Sequence, residues 1–422
     1  MAAELEERFY ETNRTQLFRW IPWLHLFRAF RIALDLRKIV LGALAVFVIS
    51  QGDALIDTLP FAPATQSPNG ASVYLHDSHV EVFGFAIHGL DSPIEALSSY
   101  GILSPLRSII EPGSQLFERG NSWASVAWLW TRLLFHLAVW SLLGGAIARM
   151  AAVQFARREG LTARAALRFS AARCGSTIGA PLLPLLFLGS FWLLCVAGGL
   201  IARIPGVGAA IVGALWFLPL LLGIAMAVML LVIALGWPLM VATISTEGTD
   251  AFDGLSRGYD YLLNRTWYAL WLLLLTVVYG TIVITFVGWI ANEGVRLANW
   301  SVESGAGDGS AFSLLPETTP ALHGTATFGP APATFGGAAA TFWLRGLAWL
   351  QRGFTVSYFW TAVTIIYFLL RLSLDAKPLN DVYIPAAAAT GETLPLVGIP
   401  AAERREAASA ESGAPQPQVP PG

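Results

Sequence analysis

Six apolar runs constrain the fold of this chain more than any other feature. A helix needs about 18 to 20 apolar residues to cross a bilayer, because only helices and closed barrels satisfy every backbone polar group there. Only 13% of the residues are charged. The sequence therefore predicts an all-α polytopic integral membrane protein with spans near residues 38–58, 125–148, 178–201, 208–235, 268–291 and 354–371.

Two features inside these spans predict how the helices pack. Between Cys174 and Thr246 the one formal charge is Arg203, so the third and fourth spans should form a hairpin around the turn "ARIPGVG". In the last span, Ser357, Thr361 and Thr364 form a mild polar stripe. Small hydroxyl residues commonly line contacts between membrane helices, so this stripe should aid packing.

Basic residues beside the spans predict the orientation, because Lys and Arg concentrate in cytoplasmic loops. We expect a cytoplasmic arm at residues 1–37, a membrane domain at 38–371 with outer loops near 60–122 and 292–342, and a largely disordered cytoplasmic tail at 372–422. The predicted location is the inner (plasma) membrane of the cell. The flanking cations include Arg31, Arg37, Lys38, Arg149, Arg157, Arg158, Arg164, Arg168, Arg173 and Arg371.

Three charged segments are patterned as interfacial amphipathic helices. They are "PWLHLFRAFRIALDLRK" before the first span, "LTARAALRFSAARCG" before the third, and the segment that follows Thr249. In the second segment, Arg164, Arg168 and Arg173 form a basic face that would meet lipid headgroups. In the third, Asp253 can pair with Arg257 one helical turn later.

Two of these segments look like copies of one another. "EGLTARAALRFS" and "EGTDAFDGLSRGYDYL" align without gaps, and each follows the inner end of a span. Repeated units are common in membrane folds, so the alignment predicts a duplicated unit of span, interfacial helix and span. The identical pairs are Glu159 with Glu247, the glycines that follow them, Ala163 with Ala251, and Leu167 with Leu255.

The third segment resembles the membrane domain attached to some glycerophosphodiester phosphodiesterases and its stand-alone relatives. The resemblance covers about the middle third of the chain, and it implies a multispan helical module. This chain has no segment matching the soluble catalytic barrel with its His, Glu and metal ligands, so the resemblance does not imply phosphodiesterase activity. The matching positions are Glu247, Ala251, Leu255, Ser256, Arg257 and Trp267.

One constellation of ionisable residues lies within the spans. Arg132 and His136 share a face of the second span, and Asp53 and Asp57 lie at a comparable depth near the end of the first. Ionisable groups at such depth are costly unless they are paired or solvated. One interpretation is an Asp53–Arg132 ion pair that lines a solute pathway. The alternative is that Arg132 extends to the outer interface and His136 makes one structural hydrogen bond.

The chain offers no clear catalytic motif. His76 and His79 lie close together in the first outer loop, but no third ligand has zinc-site spacing, so we interpret them as solvated surface residues. We therefore expect no enzyme activity, no metal or other cofactor and no nucleic-acid partner. The predicted function is a non-catalytic membrane module that binds lipids, other membrane proteins or a second copy of itself. The alternative is a permease or transporter component for a small solute.

Overall fold

The computed structural model describes residues 21–62, 101–117, 120–306 and 335–383. The chain divides into two units, Met1–Asp381 and Val382–Gly422. Of the second unit only residues 382–383 are described, and they form neither helix nor strand. The expectations for the first 20 residues, for His76 and His79, and for most of the tail lie outside the described residues.

The described part of the first unit is built of helices without strands, which confirms the predicted all-α class. Within it, six helices are long and apolar enough to cross a membrane, as predicted. After a 3-10 turn, Pro22–Phe27, the helices are α1 Arg28–Ala33, α2 Leu36–Ile56, α3 Ser104–Gln115, α4 Trp123–Arg157, α5 Ala163–Ala202, α6 Gly208–Ala214, α7 Phe217–Glu247, α8 Ala251–Asn264, α9 Thr266–Ala306 and α10 Phe335–Asp375. The six long apolar helices are α2, α4, α5, α7, α9 and α10.

Helix α10 forms the centre of the bundle, since every residue from 353 to 371 is buried. Its closest neighbour is α2: a Cβ atom added at Gly42 would collide with the backbone carbonyl of Gly353. The predicted packing role of the polar stripe is confirmed, because Ser357, Thr361 and Thr364 are all fully buried. The Ser357 hydroxyl also donates a 2.8 Å hydrogen bond to the last carbonyl of α1.

Two helices are longer than their apolar runs predict. Helix α9 continues to Ala306 and α10 begins at Phe335, so both extend into the predicted outer loop at 292–342. Hydropathy marks only the part of a helix that matches the bilayer, whereas polar residues can continue the same helix outside it. Glu293 and Arg296, three residues apart on α9, form such a helical pair.

The hairpin of the third and fourth spans turns differently from the prediction. After α5 ends at Ala202, the short helix α6 intervenes, and α7 begins only at Phe217. The fourth span therefore occupies Phe217–Glu247 rather than residues 208–235. Leu215 leaves the helical conformation before this start. Pro219 then falls in the first turn of α7, where its missing N–H has no intrahelical partner to lose.

The interfacial helix predicted at "LTARAALRFSAARCG" is not a separate element. This segment is the first part of α5, which continues without interruption to Ala202. No residue between Arg173 and Ala202 ends the helix, so the basic segment and the apolar run form one continuous helix. The segment after Thr249 does form its own helix, α8, because Arg265 adopts a non-helical conformation (φ −131°) before α9 begins.

Candidate functional site

Two clusters of polar side chains lie at opposite ends of the bundle. Along α4, the residues nearest to each cluster are Arg132 and Arg149, about 25 Å apart at 1.5 Å per residue. The Asp53 cluster comprises Asp53, Asp57, Ser108, Trp128, Arg132 and His136. The Glu247 cluster comprises Glu247, Arg257, Tyr367, Arg371 and Lys377.

Arg132 and Asp53 form the ion pair that the sequence suggested. Nε and Nη2 of the guanidinium donate to Oδ1 and Oδ2 of the carboxylate, each at 3.1 Å, in the bidentate geometry that favours an ionised carboxylate. The two side chains are 13% and 18% exposed. Trp128 stacks near the guanidinium and donates its indole N–H to Asp57. The four polar groups therefore fix the end of α2 to the start of α4.

His136 makes two polar contacts rather than the single one of the alternative interpretation. Its Nδ1 lies 2.7 Å from the backbone carbonyl oxygen of Ser108 on α3, and its Nε2 lies 2.8 Å from Asp53 Oδ1. The Ser108 hydroxyl in turn accepts a 2.8 Å hydrogen bond from the indole N–H of Trp140. The cluster thus connects α2, α3 and α4 through one buried imidazole.

A π-helical turn, Trp140–Gly144, begins about one helical turn after His136 on α4. Such turns insert an extra residue into an α-helix and often occur near functional sites. Two glycines at the end of this turn let α4 pass close to its neighbours, because a Cβ at Gly144 would collide with the Trp360 ring and one at Gly145 with the Ser170 hydroxyl. The four-residue spacing that identifies the Arg132–His136 face ends at this turn.

The Glu247 cluster is formed by residues that are distant in sequence. Glu247 is the last residue of α7, which ends at Gly248 in the left-handed conformation (φ 65°). The Glu247 carboxylate accepts hydrogen bonds from Tyr367 at 2.6 Å and Arg371 at 3.2 Å, and it also pairs with Arg257. Lys377 Nζ lies 3.8 Å away. One carboxylate therefore joins α7, α8 and α10.

Arg257 pairs with Glu247, so the predicted pair with Asp253 is replaced by a tertiary contact. Burial opposes the charge of Arg257, but the carboxylate of Glu247 outweighs it and raises the guanidinium pKa. On the same helix, burial and then a 2.6 Å hydrogen bond to Asp375 raise the pKa of Tyr261. Both groups on α8 therefore keep their ordinary protonation at neutral pH.

Three cations that the sequence assigns to the flanks are buried inside the bundle: Lys38, Arg149 and Arg371. Lys38 donates to the Gln154 side chain at 2.6 Å, and Arg149 donates to the Ser245 carbonyl at 3.1 Å. Carbonyls at the end of a helix lack intrahelical partners, so a buried guanidinium at the end of α7 satisfies them. These cations stabilise helix contacts and present no charge at the surface.

The remaining flank cations are exposed at the same end of the bundle. Arg164 and Arg168 of the predicted basic face are exposed, whereas Arg173 is half-buried. Arg37 at the start of α2 reaches the α4–α5 connection, where it donates a 3.4 Å hydrogen bond to the Leu161 carbonyl. We call the exposed set the arginine rim. It comprises Arg31, Arg37, Arg157, Arg158, Arg164 and Arg168, none of which forms an ion pair with another described residue.

The six positions of the phosphodiesterase-domain resemblance have different environments. Glu247 and Arg257 pair with each other, and Ala251 and Leu255 pack on a buried apolar cluster from α5 and α7. This part of the motif therefore fixes α8 to the bundle. The other two positions are exposed: Ser256 and Trp267, the latter 86% exposed.

Among the described residues, no three His, Cys, Asp or Glu side chains are grouped so that they could hold a metal ion. Cys174 and Cys195 are free thiols. The fold and its two charge clusters define an all-helical protein with six helices suited to a membrane. No family model matches the chain, and neither a curated protein nor a solved structure matches it.

Proposed function

We propose that this chain is a non-catalytic multispan membrane protein that binds anionic lipid headgroups at its arginine rim. The observation that carries the proposal is the exposure of six arginines at one end of the bundle, without ion pairs among the described residues. Arginines that served only to hold helices together would be buried against acceptors, as Arg149 and Arg371 are.

The energetics favour a lipid surface as the partner of the rim. Each basic side chain near an anionic surface contributes about 1 kcal/mol, and salt weakens the contribution within a Debye length of about 10 Å. Exposed apolar residues lie close to the rim, among them Phe27 on the 3-10 turn and Leu34 after α1. Apolar and basic groups at the same level suit the boundary between headgroups and acyl chains.

The test compares two variants that each lose two positive charges. In the rim variant, Arg164 and Arg168 become Gln; in the control, Arg203 and Arg296 become Gln. The measurement is the dissociation constant of a short-chain phosphatidylglycerol from the full chain in neutral-lipid nanodiscs. The rim variant loses two contributions of about 1 kcal/mol each, so it should bind phosphatidylglycerol about 30-fold more weakly at low salt. If the rim variant and the unaltered protein bind phosphatidylglycerol equally, these arginines serve only as topology signals.

We also propose that the protein lies in the inner (plasma) membrane with both termini in the cytoplasm, because the arginine rim has the bias of cytoplasmic loops. Cysteines introduced singly at Trp123 and Ser256, after Cys174 and Cys195 have been replaced by serine, test this orientation. An impermeant thiol reagent should label the Trp123→Cys variant in intact cells, and the Ser256→Cys variant only after permeabilisation. The reverse labelling pattern would show that the topology is the opposite of the proposed one.

We propose that the two aligned segments are copies of one unit. Thr162 and Asp250, at aligned positions, are the N-caps of α5 and α8, and each accepts a backbone N–H three residues later. The buried positions also correspond, since Ala166 aligns with Gly254 and Ser170 aligns with Gly258, and all four residues are buried. The kinship with the glycerophosphodiester phosphodiesterase membrane domain stays a prediction.

A permease for a small solute is the second candidate function, and the Asp53 cluster is the observation that favours it. A bidentate ion pair beside a histidine within the spans is the kind of arrangement that marks ion and solute pathways. Flux of a panel of small solutes into liposomes tests this candidate. The double variant Asp53→Asn with Arg132→Gln should abolish flux if these charges line the pathway. Flux that survives the double change would remove the Asp53 cluster from any pathway.

A further inference from the structure

The imidazole of His136 lies between two acceptors. Nδ1 is 2.7 Å from the Ser108 carbonyl oxygen, and a carbonyl can only accept a hydrogen bond. Nδ1 must therefore carry a hydrogen. Nε2 is 2.8 Å from Asp53 Oδ1, a distance at which a lone pair on nitrogen would face lone pairs on oxygen unless a second proton lay between them.

The position of this second proton follows from Arg132. Its two N–H groups donate to both oxygens of Asp53, and such bidentate donation favours the ionised carboxylate. We propose that the His136–Asp53 contact is a proton-binding site, in which His136 is held as an imidazolium that donates from both ring nitrogens. This inference is independent of the proposed lipid binding, because it concerns the opposite end of the bundle.

The surroundings contain few other charges. On α2, Asp57 accepts from Trp128 and can balance the excess positive charge of Arg132, His136 and Asp53. On α3, Arg107 and Glu111 pair with each other at 3.5 Å. The remaining charged groups on helices packed against α4 are Arg345, Arg352, Arg371 and Asp375 on α10 and, at the other end of the bundle, Glu247 on α7, Arg28 and Arg31 on α1, Arg37 and Lys38 on α2, and the arginines of α5.

The site has a route to water and a structural consequence. His136 itself is 3% exposed, but Asp53 is 18% exposed, so the proton can pass through the carboxylate. When the proton leaves, Nε2 and Oδ1 repel one another and the imidazole no longer connects Asp53 to Ser108. Proton release would therefore detach α3 from the end of α2, while the Arg132–Asp53 pair remains.

The test is nitrogen NMR of the full chain in lipid nanodiscs with the imidazole nitrogens of its six histidines labelled. The signals of His136 are those lost in His136→Gln. At about pH 7 both ring nitrogens should be protonated, and Asp53→Asn should convert one of them to the unprotonated form. The control Ser108→Ala retains the backbone carbonyl, so both nitrogens should stay protonated.

An unprotonated His136 nitrogen in the unaltered protein at about pH 7 would overturn the proposal. Two protonated nitrogens that persist in Asp53→Asn would overturn it as well, because the carboxylate would then not hold the proton. If Asp53→Asn fails to fold, the double variant Asp53→Asn with Arg132→Gln removes both charges and gives the same expected conversion.

Discussion

The Asp53 cluster and the Glu247 cluster both join three helices through one carboxylate, but their chemistry differs. The Asp53 carboxylate receives Arg132 and a histidine, and both its own side chain and Arg132 are partly exposed. The Glu247 carboxylate receives two arginines and a tyrosine, and Arg371 is 1% exposed. The first cluster therefore includes a histidine held between two acceptors, whereas the second joins its helices through arginines and a tyrosine.

The difference also concerns how a broken contact can relax. A charge near water can turn to the solvent when its partner is removed, but a fully buried charge such as that of Arg371 cannot. Nη2 of Arg371 donates to the Pro378 and Asp381 carbonyls at 3.1 and 2.7 Å, and its buried Nε has no hydrogen-bond partner among the described residues. Loss of a partner should consequently cost more stability at the Glu247 cluster than at the Asp53 cluster.

The largest effect is expected for Glu247→Gln. This change leaves Arg371 without its carboxylate in a buried site, and breaking a buried pair costs about 3 to 5 kcal/mol. The measurement is the free energy of unfolding in mixed micelles titrated with denaturing detergent. Tyr367→Phe is the matched control, since it removes one hydrogen bond of the same carboxylate and should cost about 2 kcal/mol, the scale of a hydrogen bond to a charged group. Equal losses for the two variants would contradict the role of Glu247 as the main connection.

A smaller effect is expected at the other cluster. Asp53→Asn and Arg132→Gln should each cost about 2 kcal/mol, the scale of a hydrogen bond to a charged group, because the remaining charge can reach water. The double variant should be more stable than the sum of the two losses predicts, since it leaves no unpaired charge. A coupling energy near zero in this double-mutant cycle would mean that Arg132 does not depend on Asp53.

At neutral pH the smallest effect concerns a second histidine, His25, which lies beside a cation, whereas His136 lies beside a carboxylate. Burial, and then the neighbouring Arg28, lower the pKa of His25 from 6.5 to about 4. Between these values the unfolded chain binds more protons than the folded chain, so stability should fall as the pH falls from about 6.5 to 4. His25→Gln should reduce this slope in the same unfolding measurement. An unchanged slope would assign the acid sensitivity to other groups.

The sequence identified the Asp53 cluster and missed the Glu247 cluster for a physical reason. Arg132 and His136 repeat every fourth residue on one helix, so helical geometry alone places them on one face beside a carboxylate of the adjacent span. Glu247 and Arg371 are separated by more than 100 residues and meet only because α7 and α10 end at the same level. The sequence alone does not distinguish an arginine that is buried in the bundle from one that is exposed beside a span.

The sequence by itself determined the class of this protein and the approximate positions of six apolar helices, because hydrophobic length and helical spacing are local properties. It offered the pairing of Arg132 with Asp53 as one of two interpretations. Only the tertiary structure decided which helix lies in the centre, which arginines are buried and which acceptor oxygens face His136. Hydropathy does not distinguish a residue that contacts lipid from one that contacts another helix, since both environments are apolar. One of the two least apolar spans, α10, could therefore become the buried centre of the bundle, around the close contact of Gly42 and Gly353.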